Sequence, residues 1–371
     1  MTRPWKWRAT TRFGFALALL ATWALGGGRA DAAVIHVDVG ESIQTAIDAA
    51  APGDTIVVAA GTYHENLAIN KNHITLRGAG KHADGTVLMP AATPNESPCT
   101  SEDAGVLLVD GICIAGAFDP VTFELGDPVV GTKVRGFLVE GFTGFGVILL
   151  NANNSRIARV QARNNEGYGI SGFVLSGVEF VHNWAHDNGE PGFYIGDSPH
   201  ADAVVVGNRA EHNQIGLLLR DASWGVVRDN RLRENCVGVV VLDTSAPDHA
   251  RHWRIKENGV NRNNEACAGH PDEGEPPLSG AGIALLGADR VNVLENRVFR
   301  NRATGESVVT GGIIVASNIE DGYVDRPHRN RVNENEVSGN KPADIVWDRT
   351  GTENRFGDND CGTSQPAWIC D

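Results

Sequence analysis

The sequence is short of basic residues, and this deficit limits the partners that the chain can bind. It has 32 Lys and Arg against 46 Asp and Glu, so the formal net charge is −14 at pH 7. Residues 1–32 hold five basic residues and one acidic residue, so the remainder carries −18. A chain without surplus cations does not displace phosphate counterions, which excludes nucleic acid and anionic membranes as partners. An acidic polysaccharide would need a bridging cation such as Ca²⁺.

Long apolar runs are also missing. The longest, Phe13 to Leu25, has 13 residues and is too short to span a bilayer. Four basic residues precede it, and Ala30-Asp31-Ala32 follows as a small-residue cleavage site. We therefore predict that residues 1–32 are a signal peptide. The chain is then secreted or kept in the cell envelope, with no membrane insertion.

Most of the chain lacks a helical period and shows instead a repeat of about 23 residues between Gly146 and Asn340. Glycine recurs at one position of this repeat, at Gly146, Gly169, Gly192, Gly216 and Gly238. Pairs of Asn five residues apart recur at another, at Asn183/Asn188, Asn208/Asn213, Asn230/Asn235, Asn258/Asn263, Asn296/Asn301 and Asn335/Asn340. Apolar and polar residues alternate around each first Asn, which indicates short strands with one inward face.

A coil of this length holds three short strands, so the repeat predicts an all-β, single-stranded, right-handed parallel β-helix of about ten coils, each of roughly 22 to 24 residues. Equivalent Asn side chains would stack in ladders at the bends. The segment from Glu41 to Ala50 predicts a short amphipathic helix, with Ser42 as its cap, that covers the first coil.

We expect one β-helix domain over residues 33–371. Residues 33–60 form its cap and first strands, residues 80–127 an inserted loop region, and residues 128–371 the main array. Four later insertions adjoin the strands that follow the repeated Gly, and we expect them to wall the face made by those strands: Thr244 to His252, Asn264 to Gly280, Ala303 to Gly311 and Asn318 to Arg329.

The segment SIQTAIDAAAPGDTIVVAAGTYHENLAINKNHITLRGAG resembles the opening of pectin-lyase-like right-handed β-helix proteins. The later coils resemble the parallel β-helix repeats of the same superfamily, and together they cover nearly all of residues 33–371. This resemblance implies the fold and leaves the reaction open, because the superfamily includes polysaccharide lyases, glycoside hydrolases, esterases, epimerases, phage tailspikes and non-catalytic surface proteins. No complete motif of any of these enzyme families is present.

All six Cys follow residue 32, and an even number in an exported chain favours disulfides. Cys236 and Cys267 lie in equivalent turns of neighbouring coils and should pair. Cys361 with Cys370 would close the C-terminal end, and Cys99 with Cys113 an inserted loop. A metal site is the alternative, but no two Cys have Cys-x-x-Cys spacing.

The outward positions of the Gly strands offer few groups that could bind a sugar, namely Tyr194 and Arg220. The fifth residue after Gly is acidic on three successive coils: Asp197, Asp221 and Asp243. Stacked carboxylates suit acid/base catalysis or a Ca²⁺ site. The alternative is that each Asp caps the turn that it begins.

Two histidines complete the candidates. His200 follows Asp197 in a segment, Asp197-Ser198-Pro199-His200-Ala201-Asp202, that resembles the Asp-Pro-His-Asp signature of alginate C5-epimerases, with two inserted residues. His212 ends a strand that leads into the Gly face and is a candidate for substrate binding.

The leading hypothesis is an extracellular protein that binds a polysaccharide on the Gly-strand face and cleaves or modifies it. As an enzyme it would be a lyase or hydrolase of a uronic-acid polymer. Arg220 would bind the carboxylate, Tyr194 would stack on the sugar and His200 would shuttle protons, while the three Asp would supply acid/base groups or hold Ca²⁺, the one cofactor considered. The alternative is a non-catalytic structural or carbohydrate-binding surface protein.

Overall fold

The computed structural model describes residues 32–103, 105–119, 122, 124–244, 249–269, 276–320 and 322–370, and of Glu320 only the backbone. The signal peptide that we predict lies outside these residues, apart from Ala32. Among the described residues, no helix is both long and apolar enough to cross a membrane.

The described chain winds through three parallel sheets, here called A, B and C, and each coil adds one strand to each sheet in turn. Pairing is parallel and in register between successive coils, as in Phe193↔Leu217 followed by Leu217↔Val239. This is the architecture of a parallel β-helix, as the repeat predicts. Sheet B has eleven strands, close to the expected ten coils.

Sheet A consists of Val34–Val37, Thr55–Val58, Thr75–Arg77, Lys133–Arg135, Arg156–Ala158, Glu179–Val181, Ala203–Val206, the second half of Ile215–Arg228, Arg251–Lys256, Asn292–Leu294, Arg331–Asn333 and Arg355–Gly357. Sheet B consists of Gly61–His64, Thr86–Met89, Phe137–Glu140, Gln161–Arg163, Trp184–His186, Arg209–Glu211, Arg231–Arg233, Gly259–Asn261, Arg297–Phe299, Glu336–Ser338 and Asp360–Cys361.

Sheet C contains the Gly strands: Leu67–Ile69, Ile112–Ala115, Val147–Asn153, Ile170–Ser176, Phe193–Ser198, the first half of Ile215–Arg228, Val237–Leu242, Ala281–Leu286, Gly311–Ala316, Ile345–Trp347 and Ser364–Gln365, with Val129–Val130 pairing at its edge. Two hairpins project from the coils, Ser101–Asp103 with Val106–Leu108 and Asn318–Glu320 with Tyr323–Asp325.

The core fills the inside of the coils with one apolar residue per coil at each inward position. On the Gly strands these are the first and third residues after Gly, such as Phe193 and Ile195, which are fully buried. The repeated Gly is required by close approach between coils. A Cβ at Gly169 would lie 2.6 Å from the carbonyl oxygen of Gly192 on the next coil. Glycine therefore recurs in the sequence because a larger residue at this position would clash with the next coil.

Two columns of buried Asn run along the bends on either side of sheet B. In each column the side-chain amide donates to the next Asn, as from Asn208 Nδ2 to Asn230 Oδ1 at 3.0 Å. The same amide also donates to a carbonyl of the preceding coil, here Phe180 O at 2.8 Å. The backbone N–H of each Asn donates to the next side-chain oxygen as well. Each amide therefore satisfies polar groups of three coils in places that water does not reach.

The N-terminal coil is covered by the helix Ile43–Ala49, two residues shorter at its start and one at its end than the segment expected from the sequence. Ser42 caps it by accepting a hydrogen bond from the backbone N–H of Thr45. Ile43 and Ile47 of the helix are buried against the first strands. The helix thus closes the apolar interior that the first coil would otherwise expose.

Three disulfides join Cys99 to Cys113, Cys236 to Cys267 and Cys361 to Cys370, the same pairs that the sequence suggests. The first ties the inserted loop region to sheet C, the second ties the insertion after Asn263 to the neighbouring coil, and the third closes the C-terminal end.

Replacing a ladder amide should destabilise the solenoid strongly. Asn235 is fully buried; its amide donates to Ala210 O, Arg233 O and Asn263 Oδ1, and its side-chain oxygen accepts from Asn213. We expect Asn235→Ala to lower the free energy of unfolding by about 3 kcal/mol, because several buried groups lose their partners. Denaturant unfolding checks this, with Asn261→Ala as the control, since that side chain faces outward from sheet B. Equal losses in the two variants would contradict a special role for the ladder.

Candidate functional site

The outward face of sheet C is apolar, and inserted loops cover it near its C-terminal end. Ile215, Val237, Val240, Ala281, Ala284 and Ile314 form one buried cluster there with Leu278 and Val309, which come from the insertions after Asn263 and Asn301. The Cys236–Cys267 disulfide lies in the same cluster. These two insertions are among the four that we expected beside the Gly-strand face. They also lie on top of that face.

A second cover lies over the opposite end of the same face. Cys113, Ala115, Ile148 and Leu150 are buried beneath Cys99 and Phe118 of the loop region 80–127. Among the described residues, both ends of the outward face are therefore closed, and a part of it between them stays open. We call this part the window and define it by Tyr168, Phe173, Tyr194 and Arg220 with the adjacent Glu190.

Aromatic rings line one side of the window. Tyr168 stacks on Phe145 with 4.6 Å between ring centroids and on Tyr194 with 4.9 Å. Phe173, on the same coil as Tyr168, also contacts Tyr194, with 4.8 Å between ring centroids. Because the residues come from successive coils, the ladder spacing of roughly 4.8 Å itself brings the rings to stacking distance.

The ring of Tyr194 lies over the backbone of Gly196, where a Cβ would overlap the phenolic hydroxyl. Gly196 is thus required by the ring of Tyr194, whereas the repeated Gly before each strand is required by the backbone of the next coil. Tyr194 is almost fully buried, and burial followed by the nearby Asp197 raises the pKa of its phenol well above the usual range. The hydroxyl therefore stays protonated at neutral pH.

Arg220 stands on the next coil, in register with Gly196, so its side chain lies beside the Tyr194 hydroxyl. Its side chain is 39% exposed, and its Nε lies 3.6 Å from Asp221 Oδ2. The Arg220 charge acts to lower the pKa of both Tyr168 and Tyr194. Glu190 hydrogen-bonds to Tyr168, whose pKa is raised first by burial and then by Glu190.

Asp197, Asp221 and Asp243 occupy equivalent positions on three successive coils, as the register of the flanking residues shows. Asp221 is 2% exposed and accepts hydrogen bonds from Thr244 N at 2.8 Å and from Thr244 Oγ1 at 2.5 Å. Asp243 is 3% exposed and lies 3.2 Å from both His249 Nδ1 and Ala250 N. Asp221 and Asp243 thus form hydrogen bonds with residues of the adjacent turn, which agrees with the turn-capping alternative.

The Ca²⁺ site stays a prediction. Over the ranges that the structure describes, no group of three or more His, Cys, Asp or Glu side chains is arranged to hold a metal ion. Stacking in one column is not enough, because Asp221 and Asp243 turn their oxygens towards Thr244 and His249 rather than towards a shared centre.

The two histidines fall on different edges of sheet C. His200 is exposed in the turn after Phe193–Ser198, on the same rim as Asp197. His212 lies on the opposite rim, where its Nδ1 is 2.5 Å from Glu265 Oε1, and that hydrogen bond raises its pKa. The structure therefore groups His200 with the Asp column and separates His212 from it.

Tyr168 and Glu190 were not predicted from the sequence, because they precede the glycines of their coils and so lie outside the strands that follow Gly. Phe173 lies at an outward position of its Gly strand but was not predicted as a sugar ligand. The signal was available, since Phe145 and Tyr168 occupy the same position immediately before Gly146 and Gly169.

Comparison with known proteins supports the fold. A family model described as the right handed beta helix region matches residues 110–213 and 139–251. The A-module of mannuronan C-5 epimerase AlgE6 from Azotobacter vinelandii is similar with a TM-score of 0.61 at 19% identity, over 85% of this chain and 88% of that one. The chain is a right-handed parallel β-helix protein.

Two further solved structures share this fold. DFA-IIIase from Arthrobacter chlorophenolicus A6, without its lid, gives a TM-score of 0.52 at 13% identity, over 84% of this chain and 85% of that one. The Dettilon tailspike protein gives 0.53 at 13% identity, over 87% of this chain and 66% of that one. No curated protein sequence matches the chain.

The buried Asp221 should make stability depend on pH. Burial raises the pKa of its carboxyl from 3.8 to about 6, so the folded state holds this proton more tightly than the unfolded state. Its contribution is therefore complete below about pH 4 and is lost as the pH rises through 6, by about 3 kcal/mol in total. Denaturant unfolding at pH 4 and pH 7 should show this loss in the parent and less of it in Asp221→Asn.

Asp110 provides the matched comparison, because burial raises its pKa to about 7 and it lies on the opposite rim. Asp110→Asn should remove about half of the loss between pH 4 and 6, to which both carboxyls contribute, and most of the loss between pH 6 and 7, to which only Asp110 contributes. Identical pH profiles for the parent and both variants would contradict these assignments.

Proposed function

We propose that the chain binds an acidic polysaccharide across the window of sheet C and modifies a uronate residue there. The observation that supports this proposal is the half-exposed Arg220 beside the buried Tyr194, in the part of the sheet C face that the inserted loops leave uncovered. The similarity in fold to a mannuronan C-5 epimerase agrees with a polyuronate as the ligand.

Binding would use the two kinds of group that line the window. Tyr168 and Phe173 are both partly exposed and offer apolar area to a sugar, and Arg220 offers a planar guanidinium that matches a carboxylate. The half-exposed state of Arg220 leaves this side chain within reach of a ligand on the surface. In this arrangement Arg220 replaces the bridging cation that the net charge of the chain seemed to demand.

The chemistry would begin at the C5 proton of the bound uronate, which is acidic because it is adjacent to the carboxyl group. Arg220 neutralises the carboxylate and so stabilises the negative charge that develops when a base removes this proton. Asp197 and His200, on the nearer rim, are the candidate bases. Tyr194 is the candidate proton donor by its position beside Arg220, whose charge acts to lower the pKa of the phenol and so opposes the effect of burial.

Two outcomes follow from the same first step. If Tyr194 gives its proton to the glycosidic oxygen, the C4–O bond breaks, the electron pair from C5 forms a C4–C5 double bond, and the polymer is cleaved by elimination. If a proton returns to C5 from the opposite face, no bond to oxygen breaks and the sugar is epimerised. Hydrolysis fits less well, because Asp221 and Asp243 are buried and bonded within the rim, whereas hydrolases need two carboxyl groups beside the substrate.

A non-catalytic glycan-binding protein is the second candidate. The observation in its favour is that inserted loops cover most of the described outward face of sheet C, which leaves the window as a short binding surface rather than a long groove. Both candidates place the protein outside the cytoplasm. The three disulfides support this location, and the signal peptide predicted over residues 1–32 would direct it there.

Substitutions in the window should abolish turnover of a polyuronate. We expect Tyr194→Phe to lower kcat at least 100-fold, because the proton donor is lost while the ring remains. Arg220→Gln should raise KM and lower kcat together, since it removes both carboxylate binding and charge neutralisation. Absorbance of unsaturated uronate measures elimination, and proton NMR of the sugar ring measures epimerisation, on a panel of alginates, pectins and glycosaminoglycans.

Tyr323→Phe is the control for Tyr194→Phe, because Tyr323 is 66% exposed on a hairpin outside the window. Gly196→Ala adds an independent test, since its Cβ displaces the Tyr194 hydroxyl without removing any polar group. Full activity of Tyr194→Phe would contradict the assigned donor. Binding of a polyuronate without any product from the parent protein would favour the non-catalytic alternative.

A further inference from the structure

A cleft of about 570 Å³ lies at the bend between sheets A and B, away from the window. Its lining is strongly basic and comes from four successive coils: Arg77, Lys81, His82, Arg135, Arg159 and His182. Arg77 and Arg135 are paired in register on neighbouring strands of sheet A. Arg159 and His182 follow at the bends of the next two coils.

The loop that carries Lys81 is fixed on the bend rather than loose above it. Gly80 N donates to Gly136 O at 3.1 Å, and Ala79 N donates to Thr86 Oγ1 at 2.8 Å. Lys81 extends from this loop across the cleft, and its Nζ donates to the carbonyl oxygen of His182 at 2.9 Å. The cations therefore converge because backbone contacts hold them in place.

The charges of this cleft are not neutralised from within the described chain. No carboxylate there lies within ion-pair distance of Arg77, Lys81, Arg135 or Arg159. Lys81 has its pKa lowered first by burial and then by Arg159 and Arg209, with no acidic residue acting in the other direction. Crowded cations of this kind repel one another, and a bound anion would relieve this repulsion.

Two cations further along the same sheet are paired with neighbouring carboxylates. Arg228 occupies the same register column of sheet A as Arg77 and Arg135, and its NH1 lies 2.6 Å from Asp229 Oδ2. Lys256, one coil further, lies 3.2 Å from Glu257. The cations of the cleft differ from these two, in a chain whose net charge is −14.

We propose that this cleft is a second binding site, which holds carboxylate or sulfate groups of an acidic polysaccharide chain. Guanidinium groups bind such oxyanions in a bidentate manner, and three Arg line the cleft. Over four coils the row of cations extends about 14 Å at the strand spacing of roughly 4.8 Å. This length suits several charged groups along a chain better than a single small ion.

The acidic remainder of the surface favours a chain bound only at this cleft. A duplex nucleic acid or an anionic membrane would also meet the neighbouring acidic residues, such as Asp229 and Glu257, which lie exposed on the same bend. The cleft would therefore anchor the polymer apart from the window. This inference stands without any catalysis in the window.

The test compares binding of charged and neutral oligosaccharides by calorimetry, in protein that carries Arg220→Gln so that the window contributes little. In that background, Arg135→Gln with Arg159→Gln should weaken the binding of uronate or sulfated oligosaccharides at least 10-fold and should flatten its dependence on salt concentration. Neutral oligosaccharides should not bind at the cleft. Arg228→Gln is the matched control, since it removes a paired Arg from the same column and should leave affinity unchanged.

Thermal unfolding separates a binding role from a structural one. Without ligand, Arg135→Gln with Arg159→Gln should keep or raise the Tm, because like charges are removed, and a lower Tm would overturn the proposal. Millimolar sulfate should raise the Tm of the parent more than that of this variant. Equal affinity of parent and variant would also overturn it, as would tighter, equally variant-sensitive binding to phosphatidylserine vesicles or duplex DNA. Failure of turnover in the window would leave these binding results unaffected.

Discussion

The hydrogen bonds of the buried Asn side chains are the constraint on which the rest of this structure depends. Each amide bonds to the coil before it and to the coil after it, as Asn235 does between Ala210 and Asn263. A coil that slipped by one residue would leave these buried groups without partners and would turn its inward residues outward. The ladder therefore fixes the register, and the register decides which side chains meet on the surface.

The candidate site follows from that register together with the insertions. Parallel coils alone would present a uniform apolar ribbon on sheet C, from Ile148 to Ile314. Loops that carry Leu278, Val309 and Phe118 cover both ends of this ribbon and leave Tyr194 and Arg220 between them. The open area is thus defined by what the loops do not cover, and its chemistry comes from two residues on adjacent coils.

The sequence was a good guide wherever a feature repeats. The Gly and Asn periods predicted the coils and the stacking of Asp197, Asp221 and Asp243, and the same register suggested the Cys236–Cys267 pair. The helix was predicted from the amphipathic spacing between Glu41 and Ala50. It could not show where the Asp oxygens point, because Thr244 and His249 come from the following turn and their direction depends on loop conformation. Glu190 was missed for a related reason, since its partner Tyr168 is on the previous coil.

The basic cleft shows a different limit of sequence reasoning. A net charge is a sum over the chain, and it hid four cations that are scattered between Arg77 and Arg159 in sequence but gather at one bend. From the net charge, we expected the chain to need a bridging metal ion to hold an acidic polymer, and this expectation applies to the average surface. Arg220 in the window and the cations of the cleft are local positive charges that the average does not show.

The glycine column has a consequence for how the molecule can change its length. Because one coil repeats the same contacts as the next, the gain or loss of a complete coil with its Gly and both its Asn would preserve every ladder. Such a change between the cleft and the window would move the two apart or together in steps of roughly 4.8 Å. A single inserted residue within a strand has no such freedom. The distance between two surface sites on the solenoid can therefore change only by whole coils.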